Sequence, residues 1–332
     1  MDLRREIQGN PVGAEVSALY AVVRPILAAL LFSLRDEVVQ DYGGHEKVLL
    51  RQLARNRNPN DGEPGVCFEY AVHDAIINRD PEVLERINDA LHRHCRIRGD
   101  DPQSLLFGAE KSGRINLIQS VRDSLTDNSR LLSGVRGQPV RLKRHIETAA
   151  AAFRRRPERN RLPSTIGDLW KADLFVGRPQ PDQWVGTSVK INRTQLQAAR
   201  GLRLAIIPSA QGEQDAIYHD EMKNLIVVPV PYDQGFMEVF YGGWETVVAF
   251  IDRRAEMPPP VLLSRPAQRH VAQALVDRRD FPVVDVVEAL GAFAQPFLLQ
   301  TRPAQLNLDL YRAGGGDEIN SIISPIARFN AR

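Results

Sequence analysis

Between residues 172 and 230 the sequence breaks into four short runs of apolar and β-branched residues, 172–176, 184–191, 202–208 and 225–230, separated by Gly, Pro, Asn and Asp. Between the second and third, residues 193–200 end at Gly201, the pattern of a short helix closed by a glycine. The order strand, strand, helix, strand, strand requires a sheet in the middle of the chain. On both sides the apolar spacing is three and four residues, which predicts helices over 16–34, 48–53, 68–77, 81–91 and 115–125 before the sheet. The same spacing predicts helices over 237–254, 266–279 and 284–293 after it. Asp80 followed by Pro81 is an N-cap with a first-turn proline and fixes one helix start. The apolar run 18–34 is interrupted by Arg24 and Pro25 and reads as a buried helix pair, short of the roughly 20 residues of a membrane span. The expected class is therefore α+β, a mixed sheet flanked by helices. A mainly helical region covers 1–160, the sheet core 161–257, and a helical segment 258–332 follows the stiff triple proline 258–260.

Composition narrows the setting. Two cysteines, Cys67 and Cys95, exclude a disulfide framework in 332 residues and suit a reducing compartment. Residues 1–8, with Asp2, Arg4, Arg5 and Glu6, lack the layout of a signal peptide, so the expectation is a cytoplasmic protein with no membrane attachment. Cys67, His73, His92, His94 and Cys95 do not follow the spacing of structural zinc sites. The formal net charge is +2, and of 43 Lys plus Arg only six are Lys. Where such a chain keeps a Lys, a compact ammonium is favoured over a guanidinium.

One of the six is Lys190, inside the second run and two residues after Ser188, so alternation sends both side chains to one face. Asp173 opens the first run. If the two runs pair, Asp173 and Lys190 meet, giving a carboxylate able to hold a hard cation and an ammonium able to stabilise negative charge developing on a phosphate. Glu69 lies among the apolar residues Cys67, Phe68, Tyr70 and Val72. It is either an exposed carboxylate of an amphipathic helix or a partly buried one that requires a metal, a Lys or an Arg. Eight cations fall in 21 residues, Arg141, Lys143, Arg144, Arg154, Arg155, Arg156, Arg159 and Arg161. The stretch fits a solvated helix face or a contact surface for nucleic acid.

The set Glu69, Asp173, Ser188-Val189-Lys190 resembles the PD-(D/E)xK nuclease superfamily. The resemblance covers roughly 67–75 and 165–208, and its motif is short. It implies a restriction-endonuclease-like core of a helix, a hairpin, a helix and a further strand. Asp173 matches the acid of the second strand and Lys190 the lysine of the third, with Glu69 as the acid of the first helix. Ser188 stands where the family usually has Asp or Glu, and Ala172 where it often has Pro. The serine is similar to a subgroup of restriction endonucleases in which another carboxylate fills the role, here Glu69 before Glu213. The resemblance implies Mg²⁺ or Mn²⁺ held by Glu69, Asp173 and the Val189 carbonyl, with Ser188 bonding a metal-bound water. It implies DNA as substrate, contacted by Arg141, Lys143, Arg144, Arg154, Arg155, Arg156 and Arg193. A homodimer or higher oligomer fits cleavage of both strands, and the setting is restriction or anti-phage defence, with a partner protein as an option. The alternative is a catalytically degenerate nuclease fold acting as a DNA-binding or assembly subunit, and outside nucleic acids a helical interaction protein.

Overall fold

The computed structural model describes residues 11–57, 64–99, 101–107, 124–132, 139–153, 172–199, 201–209, 215–232, 235–294, 318–320 and 328–330. In chain order the helices are α1 Pro11–Phe32, α2 Asp36–Asp41, α3 Leu50–Arg55, α4 Pro64–Ile77, α5 Pro81–Asp89, α6 Leu142–Phe153, α7 Phe236–Asp252, α8 Pro266–Asp277 and α9 Val283–Gly291. The strands are β1 Gln103–Leu106, β2 Arg130–Leu131, β3 Val140–Arg141, β4 Leu174–Arg178, β5 Gln183–Val189, β6 Arg203–Pro208, β7 Tyr218–Asp220, β8 Leu225–Val230, β9 Glu318–Asn320 and β10 Arg328–Asn330. The class is α+β, with a mixed eight-stranded sheet and a largely helical first half. The chain groups into two compact units, Phe68–Tyr232 and Met1–Cys67 with Asp233–Arg332. The three segments expected from composition are drawn at other boundaries, because the helices flanking the sheet segment pack together.

In the helical unit, α1 is contacted by α7, α8 and α9. Its run from Val22 to Leu31 is almost wholly buried apart from Arg24 and Ala28, so it needs partners on several sides. The expected helix pair is instead one helix that continues through Pro25. Burial of Val22, Val23, Ile26 and Leu27 around the proline outweighs the one backbone hydrogen bond that Pro25 removes. Residues 13–32 are long and apolar enough to cross a membrane, and 78% of their apolar 18-residue window is buried inside the protein, as in a core helix. Gly243 of α7 is where the crossing is tightest, since a β-carbon there would stand 2.6 Å from Val22 Cγ2 and 3.4 Å from Val23 Cγ2.

In the sheet unit the strand order is β1-β4-β5-β6-β8-β7, with β2 pairing β5 and β3. The β1-β4-β5 ladders are antiparallel, β5-β6-β8 parallel, and β7 returns antiparallel on β8. Every residue of β4 and β8 is buried, as expected where both faces are covered. Pro229 sits in β8 without disrupting a ladder, because β7 pairs only with Leu225–Val227 and has ended before it. All four runs read as strands form β4, β5, β6 and β8. The helix expected at 193–200 is one 3₁₀ turn, Arg193–Gln195. Asn192 Oδ1 takes up the Thr194 N–H, and the chain then extends so that Leu196 packs with Ala205, Ile207, Leu225 and Val227. That burial is worth more than a helix of two turns. Of the helix expected at 115–125, residues 115–123 lie outside the described residues, and Ser124 and Leu125 are not helical.

α5 starts as the sequence requires, with Asp80 Oδ1 accepting the Val83 N–H at 3.0 Å. Asp80 is wholly buried, and burial pushes its carboxyl up to about 7. The folded protein therefore holds this proton more tightly than the unfolded chain, whose Asp titrates near 3.9, and the stability contributed falls as pH rises between those values. Asp80→Asn keeps a capping oxygen and removes the titration. The difference in thermal midpoint between variant and wild type is expected to shift steadily in the variant's favour from pH 4 to 7 and to level above; a pH-independent difference would contradict this. In the other unit, Gly243→Ala is expected to cost about 1–3 kcal/mol by urea denaturation, through overpacking against Val22.

Candidate active site

Three charged side chains from three elements meet in the sheet unit. Lys190 Nζ donates to Asp173 Oδ2 at 2.6 Å and to Glu69 Oε1 at 3.0 Å. Asp173 immediately precedes β4, and Lys190 is the residue after β5, its N–H still bonded to Ile206 O at 3.0 Å. The β4–β5 register pairs Leu174 with Thr187, so one step further Asp173 stands across from Ser188. Asp173 Oδ2 also accepts the Val189 N–H at 2.9 Å, which fixes the carboxylate against the strand. Glu69 comes from α4, with Phe68 and Val72 of the same helix fully buried. The apolar neighbours that left two readings of Glu69 open in the sequence place it in the interior, 2% exposed and paired with a lysine.

Burial shapes the electrostatics. Asp173 is 5% exposed and the Lys190 side chain 20%, so the cluster is sheltered on the carboxylate side and reaches solvent through the ammonium. Two carboxylates share one cation, leaving a formal charge of −1 among the three. Carboxylates this buried are stable only with partners. Ser188 is buried beside them. Among the described residues no group of three or more His, Cys, Asp and Glu is placed to hold a metal, and those at this site offer a cation two carboxylates and neutral oxygens. Cys67 and Cys95 form no disulfide and both are buried, and burial pushes the Cys95 thiol up to about 12.

The residues expected to touch nucleic acid are spread more widely. Arg193 lies three residues after Lys190, its guanidinium 5.6 Å from the Tyr218 ring centre and donating to the Tyr218 hydroxyl. Arg141 ends β3 and Arg144 lies on α6, both exposed. α6 is anchored by Leu142 and Ile146 in the cluster that contains Ala172, the neighbour of Asp173. Lys143 is half-buried and pairs with the exposed Asp127 at 3.0 Å. Arg154, Arg155, Arg156, Arg159, Arg161 and Glu213 lie outside the described residues.

One feature of the neighbourhood escaped the sequence reading. His73, one helical turn after Glu69, pairs through Nδ1 with Ser104 Oγ at 3.0 Å and so joins α4 to β1. Burial lowers its imidazole to about 4, which keeps it neutral. The signal was the four-residue spacing from Glu69, which puts both side chains on one face of α4.

Removal of the shared cation tests the electrostatics without any substrate. Lys190→Met is expected to destabilise the protein by about 3–5 kcal/mol, since it removes the ammonium that two sheltered carboxylates share. Urea denaturation at pH 7 measures it, and a change within 0.5 kcal/mol, the size of an ordinary surface substitution, would show that the lysine is not their partner. No family model matches the sequence, and no curated protein or solved structure matches it.

Proposed function

We propose that the chain is a metal-dependent DNA endonuclease of the PD-(D/E)xK type. The observation that carries the reading is the Lys190 ammonium within 2.6 Å and 3.0 Å of two carboxylates contributed by a strand start and a helix. The β1-β4-β5 antiparallel ladders followed by parallel β6 agree with the helix, hairpin and strand of that core, while a single 3₁₀ turn stands where the second helix of the family lies.

The donor set fits Mg²⁺ or Mn²⁺. Glu69 and Asp173 approach a common point closely enough to share one nitrogen, their charge exceeds that of Lys190, and hard divalent ions bind through one or two carboxylates with several waters. Glu69, Asp173 and the Val189 carbonyl would hold the ion, which when bound supplies a nucleophilic water and charge stabilisation for phosphodiester hydrolysis. The remaining work belongs to the chain. Lys190 directs its ammonium at the phosphate as negative charge accumulates on its oxygens, and the low exposure of its two partners keeps that charge from being screened. The Val189 N–H holds Asp173 in place, and Ser188 offers a hydroxyl to an ordered water. Arg141, Arg144 and Arg193 contact backbone phosphates, which positions the duplex without reading its sequence. The setting is a cytoplasmic restriction or anti-phage effector, acting as a homodimer or higher oligomer or with a partner protein.

A second reading rests on Ser188. With a serine where the family has an acid, the fold also suits a catalytically degenerate subunit that binds DNA or assembles a defence complex. Plasmid DNA incubated with the protein and Mg²⁺ separates the two. The nuclease reading expects cutting that EDTA abolishes and that Lys190→Ala or Asp173→Ala reduces about 10²–10³-fold. Equal cutting by Lys190→Ala sinks it, and retarded migration without cutting supports the degenerate subunit.

A further inference from the structure

The sheet unit also holds a cavity of about 500 Å³ that the proposed chemistry does not use. It adjoins the site along two elements. His73 in its wall lies one turn beyond Glu69 on α4, about 6 Å along the helix axis. Leu106, also in its wall, pairs with Leu174, the residue after Asp173. Its chemistry differs from that of the site. No Lys or Arg is among the described residues that line it. Its one acid, Asp182, already accepts from Thr126 Oγ1 at 2.5 Å, Ser129 Oγ at 2.8 Å and Trp184 Nε1 at 2.8 Å. A phosphate or carboxylate desolvated there would meet no opposing charge from those described residues.

The lining offers apolar walls from Leu105, Leu106 and Pro179 and neutral hydrogen-bonding groups from His73 and Gln103. His73 is the most determined of them. Its Nδ1 is engaged by the 2%-exposed Ser104, and among the described residues nothing else bonds the ring. Whichever tautomer Ser104 selects, Nε2 remains as one neutral donor or acceptor. The volume lies in the usual range of sites that enclose a small organic group.

We infer that this cavity is a nucleobase subsite, receiving a base turned out of the stack next to the phosphodiester held at Lys190. The inference rests on the nuclease reading and names what that site takes besides phosphate. A base is flat and neutral, presents donors and acceptors along one edge and apolar faces on either side, and matches a wall of neutral polar groups set among Leu and Pro. An unpaired or mismatched base is the cheapest to turn out, so single-stranded or distorted DNA is the preferred substrate.

The test uses Asp173→Asn protein, which leaves DNA uncut, and single-stranded oligonucleotides carrying 2-aminopurine at successive positions. Binding followed by anisotropy is expected to brighten one or two positions several-fold as the base leaves its neighbours. His73→Ala and, because the buried histidine also supports the fold, Gln103→Ala are each expected to lower that rise by at least about half while weakening binding no more than about tenfold. Bound DNA with no position brightened, or brightening indifferent to both substitutions, overturns the subsite while leaving the nuclease reading intact. Failure of every oligonucleotide to bind, while plasmid DNA is still cut by the wild-type protein with Mg²⁺, also overturns the subsite; if plasmid DNA is neither bound nor cut the nuclease reading fails, and adenosine, guanosine, cytidine and thymidine are titrated against the His73 ring signals by NMR. Movement of those signals keeps the cavity as a nucleoside site, and their constancy rejects it.

Discussion

Everything at the centre of the sheet unit depends on one ammonium shared by two carboxylates. Buried acids repel one another and resist leaving water, so bringing Glu69 from a helix to Asp173 at a strand start requires a cation between them. Lys190 supplies it, and its place just past β5 lets its chain reach both. The backbone contributes as well, since the Val189 N–H bonds the same oxygen of Asp173 that Lys190 does. Strand register, helix position and side-chain charge are thus one problem with one solution. A shift of β5 by a single residue would send Lys190 to the other face and take its ammonium away from both acids.

The helical unit solves a different problem. α1 carries apolar residues on nearly every side, and only a set of helices around it can cover them. Those helices come from the end of the described chain, so the unit is assembled from both ends of the sequence while the sheet is built from its middle. Small residues make this possible, as Gly243 shows by admitting Val22 at a distance no side chain would allow.

The strands with long apolar runs were legible because four to six consecutive buried residues leave little choice. β1, β2 and β3 were not, since four residues of Gln-Ser-Leu-Leu and two strands of two residues carry no period of their own and become strands only by pairing, β1 with β4, β2 with β5 and β3 with β2. The turn after Lys190 misled for the opposite reason: a helical composition was overruled by the burial of Leu196. Asp173 and Lys190 were readable from spacing and from the rarity of lysine. Glu69 was readable only as an acid in apolar company, because its distance from the strands is a tertiary fact. The pairing of Lys143 was hidden for the same reason, its partner Asp127 lying on a separate loop.

The order of the chain gives α1 a further consequence. Its covering helices begin roughly 200 residues after it ends, and at common rates of synthesis that separation amounts to tens of seconds. During that time a helix apolar enough for a lipid bilayer has left the ribosome without those three helices. The growing chain must therefore shelter α1 on something else, a chaperone or its own transient contacts, until α7, α8 and α9 arrive. The same helix that anchors the finished unit is the part most exposed to aggregation while the protein is being made.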